Sequence, residues 1–466
     1  MDLAYKQYLI TNYQQCRPTM IEYPISSGIY LYLGKDLSFY KGITRGGIHF
    51  FLLGDAYCTE DYPQKVEDSL DCAVGDDIFA ISRNWTGRWV LILGEDLITD
   101  ASGLMSAFYH EDEKGWLVSS SIALLSDLLG GDEGKEVSTS GLTWKLLPFT
   151  IHDQVRSLFC TQKMTLTNRL RIVFYNRFAE WEDLTYEQRV STITSSLVNC
   201  LKNIEQYSRR KIWLALTAGK DSRLTFAAAL ASGAHFETYT ACHRNLSDAD
   251  RHLPVSMSKQ YGITHHMLQP EAFSKQRFDD YCVFTGHNSL GADAEFYASG
   301  QFDQIPIDVI SIKSGLFEIG QTYARRIAGG NEKSFIKGIK NYYKSSFKDK
   351  KQVEAFYEWL EYQRENPMPC VDIRDRFYLE QRLNGWAAAI EQSLTINPFL
   401  TIQIANSSIV LGCLLYASAK EREGLRLSYD LIRNLNEKLL DYPVNQKTIG
   451  DTARIVLNGI KRRLHL

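Results

Sequence analysis

The sequence lacks three features that would each assign it to a class of proteins: paired cysteines, an excess of basic residues and a long apolar run. Its nine cysteines are scattered without a Cys-x-x-Cys pair, which argues against a zinc site and favours reduced thiols over a disulfide framework. A net charge of -3 offers no basic surface to a nucleic-acid backbone. The longest apolar stretch, around residues 409–417, is far shorter than the roughly 20 residues of a membrane-spanning helix.

The start of the sequence is also without the basic and then apolar pattern of a secretory signal. These absences together predict a soluble, cytoplasmic protein with neither a nucleic-acid nor a membrane partner. The composition itself is typical of a folded globular protein, since 44% of the 466 residues are hydrophobic and 12% are aromatic. A chain of this length is expected to form two domains.

The first part of the chain, to about residue 180, has the pattern of β-structure. Short runs rich in β-branched and aromatic residues at 28–33, 48–53 and 88–93 are separated by glycine and aspartate. We therefore predict an antiparallel, sheet-based domain. A polar stretch at 181–187 is its expected boundary, which divides the chain into residues 1–182 and 183–466.

The second part alternates helices with short apolar strands. Such alternation predicts a parallel sheet with helices on its faces, and hence an α/β fold that becomes mostly helical from about residue 334. The expected helices are 186–207, 224–231 and 249–261, and the expected strands are 212–216, 236–242, 264–268 and 309–312.

The loop Thr217-Ala218-Gly219-Lys220-Asp221-Ser222 directly follows the first of these strands. Its small residues let the backbone close around a phosphate, and its hydroxyl groups lie where a helix begins and attracts anions. Asp221 beside phosphates suggests a magnesium ligand. The Walker pattern is absent, so ATP would be held by its pyrophosphate end. The alternative is an ordinary turn that uses glycine and a helix cap.

This loop resembles the Ser-Gly-Gly-x-Asp-Ser signature of the PP-loop ATP pyrophosphatases, in particular the synthetase half of asparagine synthetase-like enzymes. Thr217 and Ala218 replace Ser and Gly. The similarity continues through residues 239–242, 247–250 and 261–266. It implies that Leu216 and Thr240 flank the adenine and ribose of ATP. His265 and His266 could form a metal pair, but a place in a strand turn is the favoured interpretation.

A second segment, Lys313-Ser314-Gly315-Leu316-Phe317-Glu318-Ile319-Gly320, resembles the family's Ser-Gly-Glu-Gly-x-Asp-Glu sequence with one residue missing. The resemblance implies that Ser314 and Gly315 contact the nucleotide and that Glu318 is the second magnesium ligand. A strand-end turn with an exposed glutamate is the alternative. Leu316 stands where relatives carry a glutamate or tyrosine near the reacting amine, so a base must come from elsewhere or the nucleophile must arrive deprotonated.

Two later segments match the family more loosely. Residues 382–386 and 396–400 resemble its helical region below the substrate pocket, with Thr401 in place of the closing aspartate, although both could equally serve packing. Lys447 is the candidate for the late lysine that neutralises charge as pyrophosphate leaves. An ordinary surface lysine is the default interpretation.

The first part resembles the family's glutaminase-like, N-terminal-nucleophile amidotransferase domain at residues 87–93, 100–103, 108–109 and 116–121. That domain is a sandwich of antiparallel sheets, and its active members use an N-terminal cysteine as the nucleophile. Position 2 is Asp2, and Cys16 is too far along the chain unless processing exposes it. We therefore expect a degenerate scaffold, as in the β-lactam synthetase and lasso-peptide cyclase branches.

The resemblance implies an ATP-dependent, magnesium-using ligase or cyclase that adenylates a small-molecule or peptide carboxylate and transfers it to an amine from a source other than glutamine. Its oligomeric state is left open. One alternative is a tRNA-modifying PP-loop enzyme, which should show a basic surface or a Cys-x-x-Cys pair. The other is a non-catalytic nucleotide-binding or assembly protein, which ATP-dependent release of pyrophosphate would distinguish.

Overall fold

The computed structural model describes residues 2–15, 17–75, 77–131, 142–243, 246–287, 289, 292–319 and 321–444. Within them the chain forms a mixed α/β fold, with two antiparallel sheets in its first part and one parallel sheet in its second. Helices long and apolar enough to cross a membrane do not occur among these residues.

The antiparallel strands follow one another between residues 8 and 174. They are β1 (Tyr8–Thr11), β2 (Met20–Ser26), β3 (Ile29–Gly34), β4 (Phe39–Ile43), β5 (His49–Cys58), β6 (Trp85–Leu93), β7 (Asp96–Thr99), β8 (Phe108–Glu111), β9 (Trp116–Ser119), β10 (Arg156–Ser157), β11 (Gln162–Leu166) and β12 (Leu170–Phe174). One sheet has the order β10-β8-β9-β1-β3-β2 and the other the order β12-β11-β7-β6-β5-β4.

The two antiparallel sheets pack face to face through a shared apolar core. Alternate residues of each strand supply it, for example Leu31 and Leu33 of β3 and Val90 and Ile92 of β6, because successive side chains of a strand point to opposite faces. The strands predicted at 28–33, 48–53 and 88–93 are confirmed as β3, β5 and β6.

The parallel sheet has five strands in the described part of the chain. They are β13 (Lys211–Ala215), β14 (Phe236–Ala241), β15 (His265–Leu268), β16 (Val309–Lys313) and β17 (Leu400–Gln403). Their order is β15-β14-β13-β16-β17, and every neighbouring pair is parallel. The sheet therefore grows to one side of β13 first and then, from β16, to the other side. Strands β13 to β16 confirm the four strands predicted from the sequence.

Strand β17 corrects one prediction. Residues 396–400 do not belong to a helical region, because 396–399 form a turn around Pro398 and Leu400 begins β17. Proline lacks the N–H that a helix or an inner strand requires, whereas the residues after it are free to pair. They do so along the open side of β16, where Ile312 lies opposite Ile402.

Helices cover the parallel sheet and fill the second part of the molecule. The α-helices are α1 (Val66–Asp71), α2 (Ile78–Ser82), α3 (Ile122–Leu128), α4 (Tyr186–Ser208), α5 (Lys220–Ser232), α6 (Asp248–Gln260), α7 (Lys275–Phe284), α8 (Ala292–Ala298), α9 (Ala324–Ile327), α10 (Glu332–Tyr342), α11 (Lys350–Glu365), α12 (Ile373–Phe377), α13 (Ala388–Leu394), α14 (Ser408–Leu415), α15 (Ala419–Arg422) and α16 (Arg426–Asn436). A π-helical segment, Tyr378–Ala387, joins α12 to α13.

Helices α4, α5 and α6 confirm the three helices predicted from the sequence, with one change of boundary. Helix α4 starts at a capping box formed by Thr185 and Gln188, which satisfies backbone groups at its beginning. Helix α5 begins at Lys220 instead of residue 224. The last three residues of the predicted phosphate loop are consequently the first turn of this helix.

The two parts of the chain are joined by buried hydrogen bonds around Asn406, which lies between β17 and α14. Its Nδ2 donates to Gly87 O at 2.6 Å and to Asp100 Oδ1 at 2.8 Å. Its Oδ1 accepts from the backbone N–H of Ser102 at 3.0 Å and from the Ser102 hydroxyl at 2.7 Å. The two N–H donors and both acceptor positions of the Asn406 side chain are therefore all used in hydrogen bonds to the antiparallel part.

Candidate functional site

The carboxyl ends of β13 and β16 open into one cavity. Strand β13 continues into the loop 217–222, and β16 continues into a second loop at 314–319. In open parallel sheets, ligands bind beyond the carboxyl ends of strands at the point where the strand order reverses, which here lies between β13 and β16. The cavity has a volume of about 950 Å³ and is lined by residues from three segments, 217–222, 318–326 and 419–425.

Internal hydrogen bonds fix the shape of the first loop. The hydroxyls of Thr217 and Ser222 lie 3.0 Å apart, and the Ser222 hydroxyl also accepts from the Thr217 N–H at 3.0 Å. The Ala218 N–H donates to Asp250 Oδ1 at 2.8 Å, so the first turn of α6 supports the loop. Gly219 is the N-cap of α5 and brings no side-chain acceptor to the first-turn amides. These amides, together with the helix dipole, favour an anion in the cavity.

The two carboxylates predicted as magnesium ligands, Asp221 and Glu318, line the same cavity. Tyr378 lies between their loops and donates its hydroxyl to Glu318 Oε2 at 2.8 Å. Burial first, and then the negative charges of Glu318 and Asp221, raise the pKa of Tyr378 well above its ordinary value, so the phenol remains a donor. Lys220 pairs with Asp221.

This pair of carboxylates fits a magnesium ion that arrives with a polyphosphate. Magnesium in such sites takes one or two protein carboxylates and completes its octahedron with phosphate oxygens and water. The described residues contain no group of three or more histidine, cysteine, aspartate or glutamate side chains arranged to hold a metal alone. The donor set therefore suits a nucleotide-bound cation better than a resident metal.

Five of the residues predicted to bind the cofactor do not line the cavity. The Thr240 hydroxyl donates to Leu216 O at 2.6 Å, the Ser314 hydroxyl bonds to a threonine of α5 at 2.8 Å, and the Gly315 N–H donates to a glutamine of β17 at 2.8 Å. Such contacts place the two loops relative to the sheet. Lys447 lies outside the described residues. The five are Leu216, Ala218, Thr240, Ser314 and Gly315.

A buried arginine brings the end of the described chain to the loop. Arg223, in the first half of α5, donates to the carbonyl oxygens of Leu439 at 3.0 Å, Tyr442 at 2.6 Å and Pro443 at 2.9 Å. It also donates to Ala218 O at 3.1 Å. The residues that precede the predicted lysine are thus held against the phosphate loop.

The cavity wall also carries cationic side chains that sequence reasoning missed. Arg325 and Arg326 come from α9, and Lys420 and Arg422 come from α15. These helices lie almost one hundred residues apart in the chain, and each is a single turn. Helix α15 begins with a capping box of Ser418 and Glu421, but such a box marks a helix start and not a binding site. Their proximity arises only from tertiary packing.

The histidine pair lies in β15, as the favoured interpretation of the sequence predicted. His265 Nδ1 is 2.9 Å from the Thr238 hydroxyl, and burial, assisted by neighbouring His266, lowers the pKa of His265 to about 4. The ring of His266 stacks on Trp213 with centroids 4.1 Å apart. These contacts are those of packed residues in a sheet.

Leu316 and the segment 382–386 show packing contacts as well. Leu316 is fully buried in the turn after β16, where its side chain offers no polar group. The guanidinium of Arg382 lies 3.3 Å from the ring centroid of Trp386, and the Trp386 indole donates to Asp293 at 2.7 Å. Neither segment supplies an evident base to the cavity.

Comparison with known proteins identifies no family. No protein-family model matches the chain, and no curated protein matches it. Among solved structures, an allosteric regulatory enzyme of purine biosynthesis is similar at 6% identity and a TM-score of 0.22, covering 73% of each chain. Glutamine phosphoribosylpyrophosphate amidotransferase from B. subtilis, complexed with ADP and GMP, is similar at 7% identity and a TM-score of 0.22, covering 73% of this chain and 74% of the other. Likenesses this distant carry no conclusion about activity.

Proposed function

We propose that the protein is an ATP-dependent carbon-nitrogen ligase of the asparagine synthetase-like, PP-loop kind. It would adenylate a substrate carboxylate with release of pyrophosphate, and an amine would then displace AMP. The observation that carries this proposal is the shared cavity where the strand order reverses, with a small-residue phosphate loop on β13 and the carboxylates of Asp221 and Glu318 on its wall.

The residues of this chain have distinct parts in the proposed reaction. Asp221 and Glu318 would hold Mg²⁺, which when bound withdraws charge from the phosphates. The first-turn amides of α5 and the ammonium of Lys220 would bind the polyphosphate. Tyr378 keeps the Glu318 carboxylate in place through its hydrogen bond. Catalysis would then rest on positioning and charge neutralisation. In accord with this, the described residues that line the cavity include no histidine or cysteine.

We further propose that the amine is not produced from glutamine by the antiparallel part. A glutaminase of this type needs a thiolate, and burial raises the pKa of Cys58 to about 12 and that of Cys160 well above its ordinary value. Cys72 is exposed but caps the C-terminal end of α1, where the helix dipole disfavours a thiolate. Cys16 lies outside the described residues. Glutamine added with ATP should therefore yield no glutamate.

The decisive experiment is pyrophosphate release from ATP over a panel of carboxylates and amines, with Asp221→Asn and Glu318→Gln as test variants. Each should lower kcat/KM at least about 100-fold, since a lost charge contact in the transition state costs about 2.7 kcal/mol or more. Asp153→Asn, on an exposed aspartate paired with Lys351, is the matched control and should behave as the wild type. Circular dichroism verifies the folding of each variant.

Equal pyrophosphate release by the wild type and both variants would refute the ligase. Magnesium-dependent ATP binding without turnover for any carboxylate would instead support the alternative of a non-catalytic nucleotide-binding protein. Release of pyrophosphate with a tRNA but with no small or peptide carboxylate would support the tRNA-modifying alternative.

A further inference from the structure

One part of the cavity wall, formed by residues 321–326 and 419–425 and called here the cationic side, holds buried charges that bond to one another. Asp375, on α12, is fully buried and receives Arg325 Nε at 3.2 Å on one oxygen and Arg422 Nη1 at 2.6 Å on the other. A second nitrogen of Arg325 also bonds to Asp375. One carboxylate thus holds two arginines that come from different helices, and it sets the direction in which their remaining N–H groups point.

Three polar atoms on this side have no hydrogen-bond partner within the described chain. They are Arg422 Nε, Thr322 Oγ1 and Gln321 Oε1, and all three residues line the cavity. The Arg422 side chain is only 10% exposed, and Thr322 is 1% exposed. Buried polar groups are normally hydrogen-bonded, so two unpartnered donors, Arg422 Nε and Thr322 Oγ1, at the wall of one cavity point to a bound ligand that accepts from them.

The rim of the same side adds unpaired positive charge. Arg326 and Lys420 are exposed, line the cavity and make no ion pair with another described residue. Arg325 and Arg422 both form ion pairs with the one carboxylate of Asp375. Arg325 also lies 3.5 Å from the carboxylate of Asp372. Glu423 also lines this side, so Arg325, Arg326, Lys420 and Arg422 face one lining carboxylate in addition to the buried Asp375. The remaining surplus of positive charge favours an anion, and guanidinium N–H groups match the oxygens of phosphate and carboxylate.

We propose that Thr322, Arg325 and Arg422 bind a second acidic group, a phosphate or a carboxylate, on the molecule whose first carboxylate is activated at the phosphate loop. This deepens the proposed function and rests on it. The polyphosphate would have its own contacts in the first turn of α5, on Lys220 and with the metal-binding carboxylates, all of which come from residues outside the segments 321–326 and 419–425. The cavity volume of about 950 Å³ lies near the upper end for small-molecule sites, which leaves room for a substrate beside a nucleotide.

The role of Asp375 follows from the same geometry. It is a positioning residue, because its carboxylate contacts the arginines and not the cavity. The acidic group would accept from Arg422 Nε–H and from the Thr322 hydroxyl, and it would thereby satisfy two donors that are otherwise buried without partners.

The test uses the full chain, saturated with Mg²⁺ and α,β-methylene-ATP, which occupies the polyphosphate contacts and cannot donate an adenylyl group. Inorganic phosphate is then titrated by calorimetry. We expect one phosphate per chain, and we expect Arg422→Gln and Thr322→Val each to weaken it by about 10-fold or more, the effect of one charge-assisted hydrogen bond. Arg433→Gln, on the exposed side of α16, is the control and should leave phosphate binding unchanged.

Thr322→Val separates a binding role from a structural one. Replacing an unsatisfied buried hydroxyl with a methyl group should leave the thermal stability equal or higher, while phosphate binding falls. The proposal is overturned if no phosphate binds to the nucleotide-loaded wild type, if neither variant weakens phosphate, or if the variants weaken the nucleotide analogue by the same factor.

The outcome also distinguishes this proposal from the proposed function. If the nucleotide analogue itself does not bind, the ligase fails, and phosphate is then titrated into the nucleotide-free protein. If phosphate binding is lost in Arg422→Gln but kept in Asp221→Asn, the anion site stands without the ligase. If phosphate binds Arg422→Gln as well as it binds the wild type, the anion site is overturned. Among carboxylates that do release pyrophosphate, those with a second acidic group should have the lower KM, and Thr322→Val should abolish that advantage with little change in the KM for ATP.

Discussion

Replacing Asn406 with leucine should destabilise the whole molecule, because this buried side chain makes four hydrogen bonds to the other part of the chain. Leucine has the same branched shape but is larger, so it leaves no cavity and its steric cost is that of overpacking. Two groups lose a partner without gaining water: the Gly87 carbonyl and the Ser102 hydroxyl. The Ser102 N–H loses one acceptor but still donates to Asp100 Oδ1 at 3.3 Å. The Asp100 carboxylate loses one donor but keeps the backbone N–H groups of Leu104 and Met105.

Each unsatisfied buried group costs about 1–3 kcal/mol, and neighbouring groups do not add fully. We therefore expect Asn406→Leu to lower the free energy of unfolding by about 2–5 kcal/mol, a large share of the roughly 5–15 kcal/mol typical of folded proteins. Urea denaturation followed by far-ultraviolet circular dichroism measures the loss. Asn434→Leu, on the exposed surface of α16, is the matched control and should change stability by less than about 0.5 kcal/mol. A loss below about 1 kcal/mol for Asn406→Leu would show that the network does not join the two parts energetically.

Two further predictions concern protonation. Burial lowers the pKa of His265 to about 4 in the folded chain. In the unfolded chain this histidine is protonated below about pH 6.5, whereas in the folded chain it stays neutral down to about pH 4. The free energy of unfolding should therefore fall as the pH drops from about 6.5 to about 4. His265→Gln should reduce that fall in pH-dependent urea denaturation, whereas His252→Gln, on an exposed residue of α6, should not. A hydrogen bond to Glu182, and then the charge of that carboxylate, raise the pKa of exposed Cys370, so Glu182→Gln should accelerate its alkylation by iodoacetamide at about pH 8, measured by peptide mass spectrometry. Alkylation of exposed Cys72 in the same sample is the internal standard, and an unchanged ratio of the two rates would contradict the assignment.

The elements that could be predicted from the sequence are those whose information is local. The helix 186–207 repeats its apolar residues at helical spacing, and Ile193, Leu197, Leu201 and Ile204 form its buried side. The loop 217–222 is contiguous, so its small residues and its aspartate could be recognised together. Asp221 and Glu318 could be paired only through the family resemblance, and the cavity brings them to one wall.

The features that escaped prediction depend on contacts between distant segments. Strand β17 has four residues and a preceding proline, and it becomes a strand because β16 offers an unpaired edge. The sequence around Arg325 shows no motif, and the capping box before Arg422 indicates only a helix start. Asp375 resembles a surface aspartate in the sequence although it is completely buried. Pattern reasoning detects periodicity and short motifs, whereas such a cluster exists only after the chain has folded.

Strand β17 also has a consequence for how the protein can be divided. It is the last strand of its sheet, and the hydroxyl of Thr86 in β6 donates to the carbonyls of Gln403 and Ile404 at its end. A truncated chain that begins at residue 183 would lack this cover and would present an open strand edge that includes Leu400 and Ile402, and an uncovered strand edge is a template for aggregation. We therefore expect residues 183–466 to aggregate when they are expressed alone. Adding the separately produced residues 1–182 should cover the edge of β17 again and restore solubility.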